Sequence, residues 1–99
     1  MVIRILDYVK TYSTYDDGGV IYRLIADELE RGGLVTLSFD GIKSIPSAFV
    51  NAALIRLLER FNFQEIQTRL KIVDSTRQIN SIIKDRFAFA IGSQKQAAS

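Results

Sequence analysis

The 99-residue sequence has no histidine, no cysteine and no tryptophan, and only one proline and one methionine. Without His or Cys there is no thiol nucleophile, no disulfide, no imidazole base and no Cys/His zinc or iron–sulfur site. Catalysis in such a chain would rest on carboxylates, hydroxyls, lysine and arginine. Long apolar runs are missing as well: none approaches the roughly 20 residues that a bilayer-spanning helix needs. Nor is there a run of cations. Thirteen Lys+Arg against eleven Asp+Glu leave a formal charge of +2, spread thinly along the chain, which makes nucleic acid an unfavoured partner. The opening Met1-Val2-Ile3-Arg4-Ile5 passes straight into a strand-like pattern and lacks the basic, apolar, small-residue order of a signal peptide. A cytoplasmic setting is the expectation.

What is present suits one globular domain, 47% hydrophobic and 24% charged. The domain is expected over residues 1–91, with 92–99 as a flexible tail. Val2 to Tyr8 reads as a first strand. Lys10 to Gly19 is polar and ends in the Asp17-Gly18-Gly19 turn signal, after which Ile21, Leu24, Ile25 and Leu29 mark a helix from about Val20. Gly32-Gly33 ends that helix. Leu34 to Phe39 is a second strand, apolar as a strand covered on both faces would be. A helix from about Ser47 to Arg60 follows. Its main apolar face is Val50, Leu54, Leu57, Leu58 and Phe61, and its small-residue face is Ala48, Ala52 and Ile55. Leu70 to Val73 is a third strand, and Ser75 with Gln78 has capping-box spacing before a helix through Ile79, Ile82, Ile83 and Phe87. Phe87 to Ile91 reads as an added strand or a self-association surface, with packing on the same subunit preferred and a homodimer the alternative. The alternation of strand and helix predicts the α/β class: a small single-domain sheet of three to four strands, at least partly parallel, packed by three helices.

Ligands of α/β sheets gather at strand carboxyl ends and helix N-termini, so candidate chemistry is sought there. Ser47, after Pro46 at the head of the second helix, is either a plain N-cap or a docking and modification point. Asp40 and Asp74 both follow strands, with Asp16 and Asp17 as candidate neighbours. Carboxylates so gathered could bind Mg²⁺, although Asp is also common in turns and caps. Tyr8, Tyr12, Tyr15 and Tyr22 surround the first loop, where they either cover the core or face a partner.

The stretch Val35-Thr36-Leu37-Ser38-Phe39-Asp40-Gly41-Ile42-Lys43-Ser44-Ile45-Pro46-Ser47-Ala48-Phe49 resembles the strand, turn and serine-led helix of the STAS superfamily, the fold of the anti-sigma factor antagonists. It looks closest to the compact STAS-like family of unknown function found in bacteria and phages. The flanks agree: Tyr15 to Tyr22 resembles that family's glycine leading into its first helix, and Leu70 to Asp74 followed by Ile79 to Ile83 resembles its last strand and helix. The resemblance implies a regulatory protein-binding module rather than an enzyme. In the antagonists, a serine at the head of this helix is phosphorylated by a kinase-like ATP-binding partner, and Ser47 lines up with it. The antagonists usually carry Asp-Ser-Ser-Gly there, whereas this sequence has Pro46-Ser47-Ala48-Phe49. The resemblance therefore carries the place of an interface more directly than its phosphorylation switch.

The expected surface comprises Ser47, Ser44, Pro46, Ala48, Asp40 and Asn51. No cofactor or metal is called for, and the expected partner is a protein, of the ATP-binding regulatory kinase-like kind. Two other classes remain open from sequence: a nucleic-acid-binding or phage-type regulator using the tyrosines, and a Mg²⁺-dependent phosphoryl-transfer enzyme built from Asp16, Asp40 and Asp74.

Overall fold

The computed structural model describes the backbone of residues 1–98 and the side chains of residues 1–92. Three strands, β1 (Val2–Arg4), β2 (Val35–Ser38) and β3 (Leu70–Val73), form one parallel sheet in the order β1-β2-β3. The register aligns Ile3 with Leu37 and Leu37 with Ile72. Two successive crossovers in the same direction place their helices on one face of the sheet. Burial follows: Ile3, Val35 and Leu37 are buried on that face, while Val2 and Lys71 on the other are exposed. The reading of β2 as covered on both faces therefore holds only in part. Thr36 on the outer face stays half-exposed.

The first strand is shorter than the sequence suggests. After Arg4 the chain turns into a single helical turn, α1 (Ile5–Tyr8), in which the Val9 N–H bonds the Ile5 carbonyl at 3.1 Å. Ile5 and Val9, four apart and both buried, fit that turn as well as they fit a strand. Helix α2 (Tyr15–Glu30) starts five residues before the expected Val20. Thr14 and Asp17 form a complete capping box, so the two glycines lie inside the helix and not in a turn. Gly18 is there because α3 presses on it: a Cβ at this position would lie 2.8 Å from the Phe49 carbonyl.

The expected second helix is broken. Helix α3 (Ser47–Ala53) gives way at Leu54 to a 3₁₀ segment, Ile55–Glu59, and a further helix, α4 (Phe63–Arg69), follows. Asn62 caps α4 by accepting the Glu65 N–H at 2.8 Å, and Asn62-x-x-Glu65 is its local sequence signal. The small face of α3 divides: Ala52 is buried against α2, and Ala48 is exposed. Helix α5 (Arg77–Ala98) takes in Phe87 to Ile91, so no strand is added there. The helical spacing of Ile79, Ile83 and Phe87 turns them toward the same chain, where the Phe87 ring meets the Phe63 ring with centroids 5.2 Å apart. The tail expected over 92–99 falls on the last turns of α5, and Ser99 lies outside the described residues. Among the described residues, five α-helices rather than three thus flank the sheet. No helix among the described residues is long and apolar enough to cross a membrane.

Candidate functional site

The carboxyl ends of the three strands lie side by side, and a network of polar contacts ties them together. Arg4, ending β1, donates through Nε to Asp40 at 3.1 Å and through Nη1 to Asp7 at 2.9 Å. The bond to Asp40, then that to Asp7, holds the Arg4 guanidinium above its ordinary pKa. Ser38, ending β2 and only 5% exposed, donates to the Asp74 carboxylate at 2.7 Å and accepts the Asp40 N–H at 3.2 Å. Asp74, directly after β3, has φ 56, in the left-handed region where Asp and Asn are the tolerated side chains. Gly41, at φ 84, completes the turn that the Ile42 N–H closes on the Phe39 carbonyl at 2.9 Å.

From that turn the chain runs to α3 as a loop fixed at regular points. Ile42 and Ile45 are buried. Thr76 donates to the Lys43 carbonyl at 2.6 Å, and Gln78 grips Ile45 from both sides of its main chain, accepting its N–H at 3.1 Å and donating to its carbonyl at 3.3 Å. The side-chain amide thus acts as a substitute strand neighbour. Gln78 is not the capping partner of Ser75. Thr76 caps α5 by accepting the Ile79 N–H at 3.3 Å, and Ser75 donates to Asn80 at 2.7 Å.

Ser44, between these anchors, and Pro46, Ser47 and Ala48, directly after them, are all exposed. Ser47 is not a cap: Pro46 occupies the N-cap position, with no side-chain bond, and Ser47 is the first helical residue. Its hydroxyl makes no hydrogen bond among the described residues. Phe49 and Val50, both buried, anchor the helix immediately behind it. Asn51 is half-buried and accepts from Arg86 of α5 at 3.0 Å, and Asp40 is exposed but engaged by Arg4. The structure therefore brings Ser44, Pro46, Ser47 and Ala48 together, with Asp40 and Asn51 braced at either end of the segment.

The acidic residues part company. Asp40 and Asp74 are linked through Ser38, while Asp16 and Asp17 belong to the first turn of α2. Among the described residues no group of three or more His, Cys, Asp or Glu side chains could hold a metal ion. The tyrosines divide too. Tyr22 is buried, Tyr8 and Tyr15 are exposed, and the Arg56 guanidinium lies 4.2 Å from the Tyr22 ring and 5.8 Å from that of Tyr15.

The braces supplied by Arg4, Thr76, Gln78 and Arg86 have no counterpart in the sequence pattern, in which Gln78 fits only a capping box with Ser75. Each acts on a residue about 33 to 36 positions away, and no local spacing signals such a contact. No curated protein and no solved structure matches this chain. A family model does, described as a STAS-like domain of unknown function (DUF4325), over residues 17–80. That span runs from the capping box of α2 through β2, the braced loop, α3 and β3 to the Thr76 and Gln78 anchors. The chain belongs to this family of STAS-like domains.

Proposed function

We propose that this chain is a non-enzymatic regulatory module that docks through the Ser44 to Ala52 segment onto a protein partner, of the ATP-binding, kinase-like kind. Membership among STAS-like domains supports an interaction module in general. The observation that carries the docking segment is its combination of exposure and rigidity. Thr76 and Gln78 fix the loop at Lys43 and Ile45, while the intervening and following side chains at Ser44, Pro46, Ser47 and Ala48 stay open to solvent. A surface held in its bound shape loses little conformational freedom on association.

Ser47 is the point at which such a surface would be switched. A phosphate there would add about −1.5 to −2 charge to an exposed hydroxyl that no neighbour occupies. The test is affinity purification of the tagged protein from its native cells with phosphosite mass spectrometry, followed by binding measurements on the recovered partner. Ser47→Asp and Ser47→Arg should each shift affinity while leaving the circular dichroism spectrum and unfolding midpoint unchanged. Unchanged affinity in both variants overturns the docking segment.

A further inference from the structure

Strand β3 is an edge of the sheet, paired with β2 on one side. The Val73 carbonyl accepts the Phe39 N–H at 3.1 Å, so Val73 turns its main chain toward β2. Main-chain direction alternates along a strand, and Ile72 therefore turns its N–H and C=O outward. Among the described residues nothing pairs with them. Beside this edge, between α4 and α5, runs a groove of about 440 Å³. Phe63, Ile66, Leu70, Ile72, Ile83 and Phe87 give it apolar walls, and Lys84 is the one charged side chain lining it among the described residues. Lys71 lies on the opposite face of β3, exposed. Neither lysine forms an ion pair among the described residues.

We propose that the β3 edge receives an extended segment of a partner protein in which apolar and acidic side chains alternate. The Ile72 main chain supplies the hydrogen bonds of an added strand, and the groove takes the apolar side chains that fall on the face of Leu70 and Ile72. The acidic side chains fall on the other face, next to Lys71, where an opposite charge on the neighbouring strand is favoured. The same lysine argues against a second copy of this chain as the occupant. Antiparallel pairing of two β3 edges would set the two Lys71 side chains on one face, opposite or diagonal to each other, and a lysine on an edge strand is a common guard against such pairing. This surface is distinct from the Ser44 to Ala52 segment, and its test does not depend on that segment.

The test is fluorescence polarisation of the full chain with two labelled peptides, one alternating valine and glutamate, the other valine and lysine. The glutamate peptide is expected to bind roughly fivefold or more tightly than the lysine peptide, and Lys71→Glu to reverse the order. Ile72→Pro removes the outward N–H at an edge position, where proline is tolerated, and should abolish binding of the glutamate peptide. Ala88→Arg, on the exposed wall of the groove, should do the same and keeps the test decisive if the proline variant fails to fold. No binding of the glutamate peptide, an order unchanged by Lys71→Glu, or full binding to Ala88→Arg overturns the proposal. A dimer in solution that Ala88→Arg dissociates also overturns it, by giving the edge to a second copy.

Discussion

Gly18 of α2 lies so close to Ala52 of α3 that a methyl group added at Gly18 would sit 2.7 Å from the Ala52 Cβ. The Phe49 carbonyl and the Ala53 amide are nearly as near, at 2.8 and 3.1 Å, so backbone as well as side chain would have to move. Helix propensity alone favours alanine over glycine by about 1 kcal/mol. Overpacking should outweigh it, and Gly18→Ala is expected to lose about 1–3 kcal/mol. Gly19 is the internal control. Its added methyl would find only the Arg56 Nη1 at 3.8 Å, and Gly19→Ala should gain about 0.5–1 kcal/mol. Urea denaturation of the two variants checks the opposite signs; a stabilised Gly18→Ala would show that α2 and α3 are not locked by this contact.

Arg69 holds the other end of α2. Its Nη2 donates to the Leu29 carbonyl at 2.6 Å and to the Gly33 carbonyl at 2.9 Å, and its Nε reaches the same Gly33 oxygen at 3.2 Å. Leu29 is in the last turn of the helix, where carbonyls lack an intrahelical donor. One guanidinium thus serves the helix end and the turn beyond it from the last residue of α4. Arg69→Ala should cost about 1.5–3 kcal/mol, the range for hydrogen bonds from a charged donor. Arg69→Lys should recover only part of this, because a single ammonium cannot reproduce the planar fork. Thermal unfolding of both variants distinguishes this from simple loss of the side chain's packing, which lysine would restore.

The strands β2 and β3 and the order of the elements were legible because short apolar runs and turn residues act locally. So was the location of the loop before α3, through the resemblance carried by Val35 to Phe49. The start of α2 is hidden because Gly18 and Gly19 look like a turn until the closeness of α3 is known, although Thr14-x-x-Asp17 signals the cap. The break at Leu54 had no strong local sign: the apolar spacing of Val50, Leu54 and Leu57 continues through it. The braces on the candidate site were invisible for another reason. A glutamine that pairs with a main chain 33 residues away shows, in sequence, only its capping-box spacing from Ser75.

The α2 cap should make stability depend on pH in a defined direction. Asp17 is held below the ordinary carboxylate value, first by the hydrogen bond from the Thr11 hydroxyl and then by its bonds with Thr14. With its pKa lowered in the folded state, Asp17 takes up a proton in the unfolded chain before it does so in the folded one. Its contribution is therefore complete above the ordinary value of 3.8 and disappears as pH falls through the lower folded value. Asp17→Asn should be less stable than the parent at neutral pH, with the gap narrowing at about pH 3. Thr14→Ala, which removes the neutral half of the cap, should cost about 1 kcal/mol and keep a larger share of that loss in acid. Urea midpoints of the three proteins at the two pH values decide it; an Asp17→Asn gap that does not narrow would assign the effect to something other than charge.

Ser38 and Asp74 offer the sharpest separation of folding from docking. The Ser38 hydroxyl is spent twice, on the Asp74 carboxylate and on the Asp40 N–H, at the point where β2 and β3 end together. Ser38→Ala leaves both groups without that partner and should cost about 1.5–3 kcal/mol. Asp74→Asn keeps an acceptor and tolerates φ 56, so it should cost less than Ser38→Ala. Asp74→Val loses the acceptor and places a β-branched side chain in the left-handed region, which adds about 1–2 kcal/mol. The order Asn, then Ala at Ser38, then Val tests whether the hydroxyl bond or the backbone conformation dominates this corner. The same variants bear on the docking segment. Slackening the turn at Asp40 and Gly41 frees the loop that leads to Ser47, so partner affinity should fall in step with stability across the three. Ser47→Arg should instead lower affinity at full stability, because Ser47 contributes exposure and no internal bond. If affinity in the Ser38 and Asp74 variants stays constant while stability drops, the loop does not need its brace to bind, and rigidity is not what the segment offers a partner.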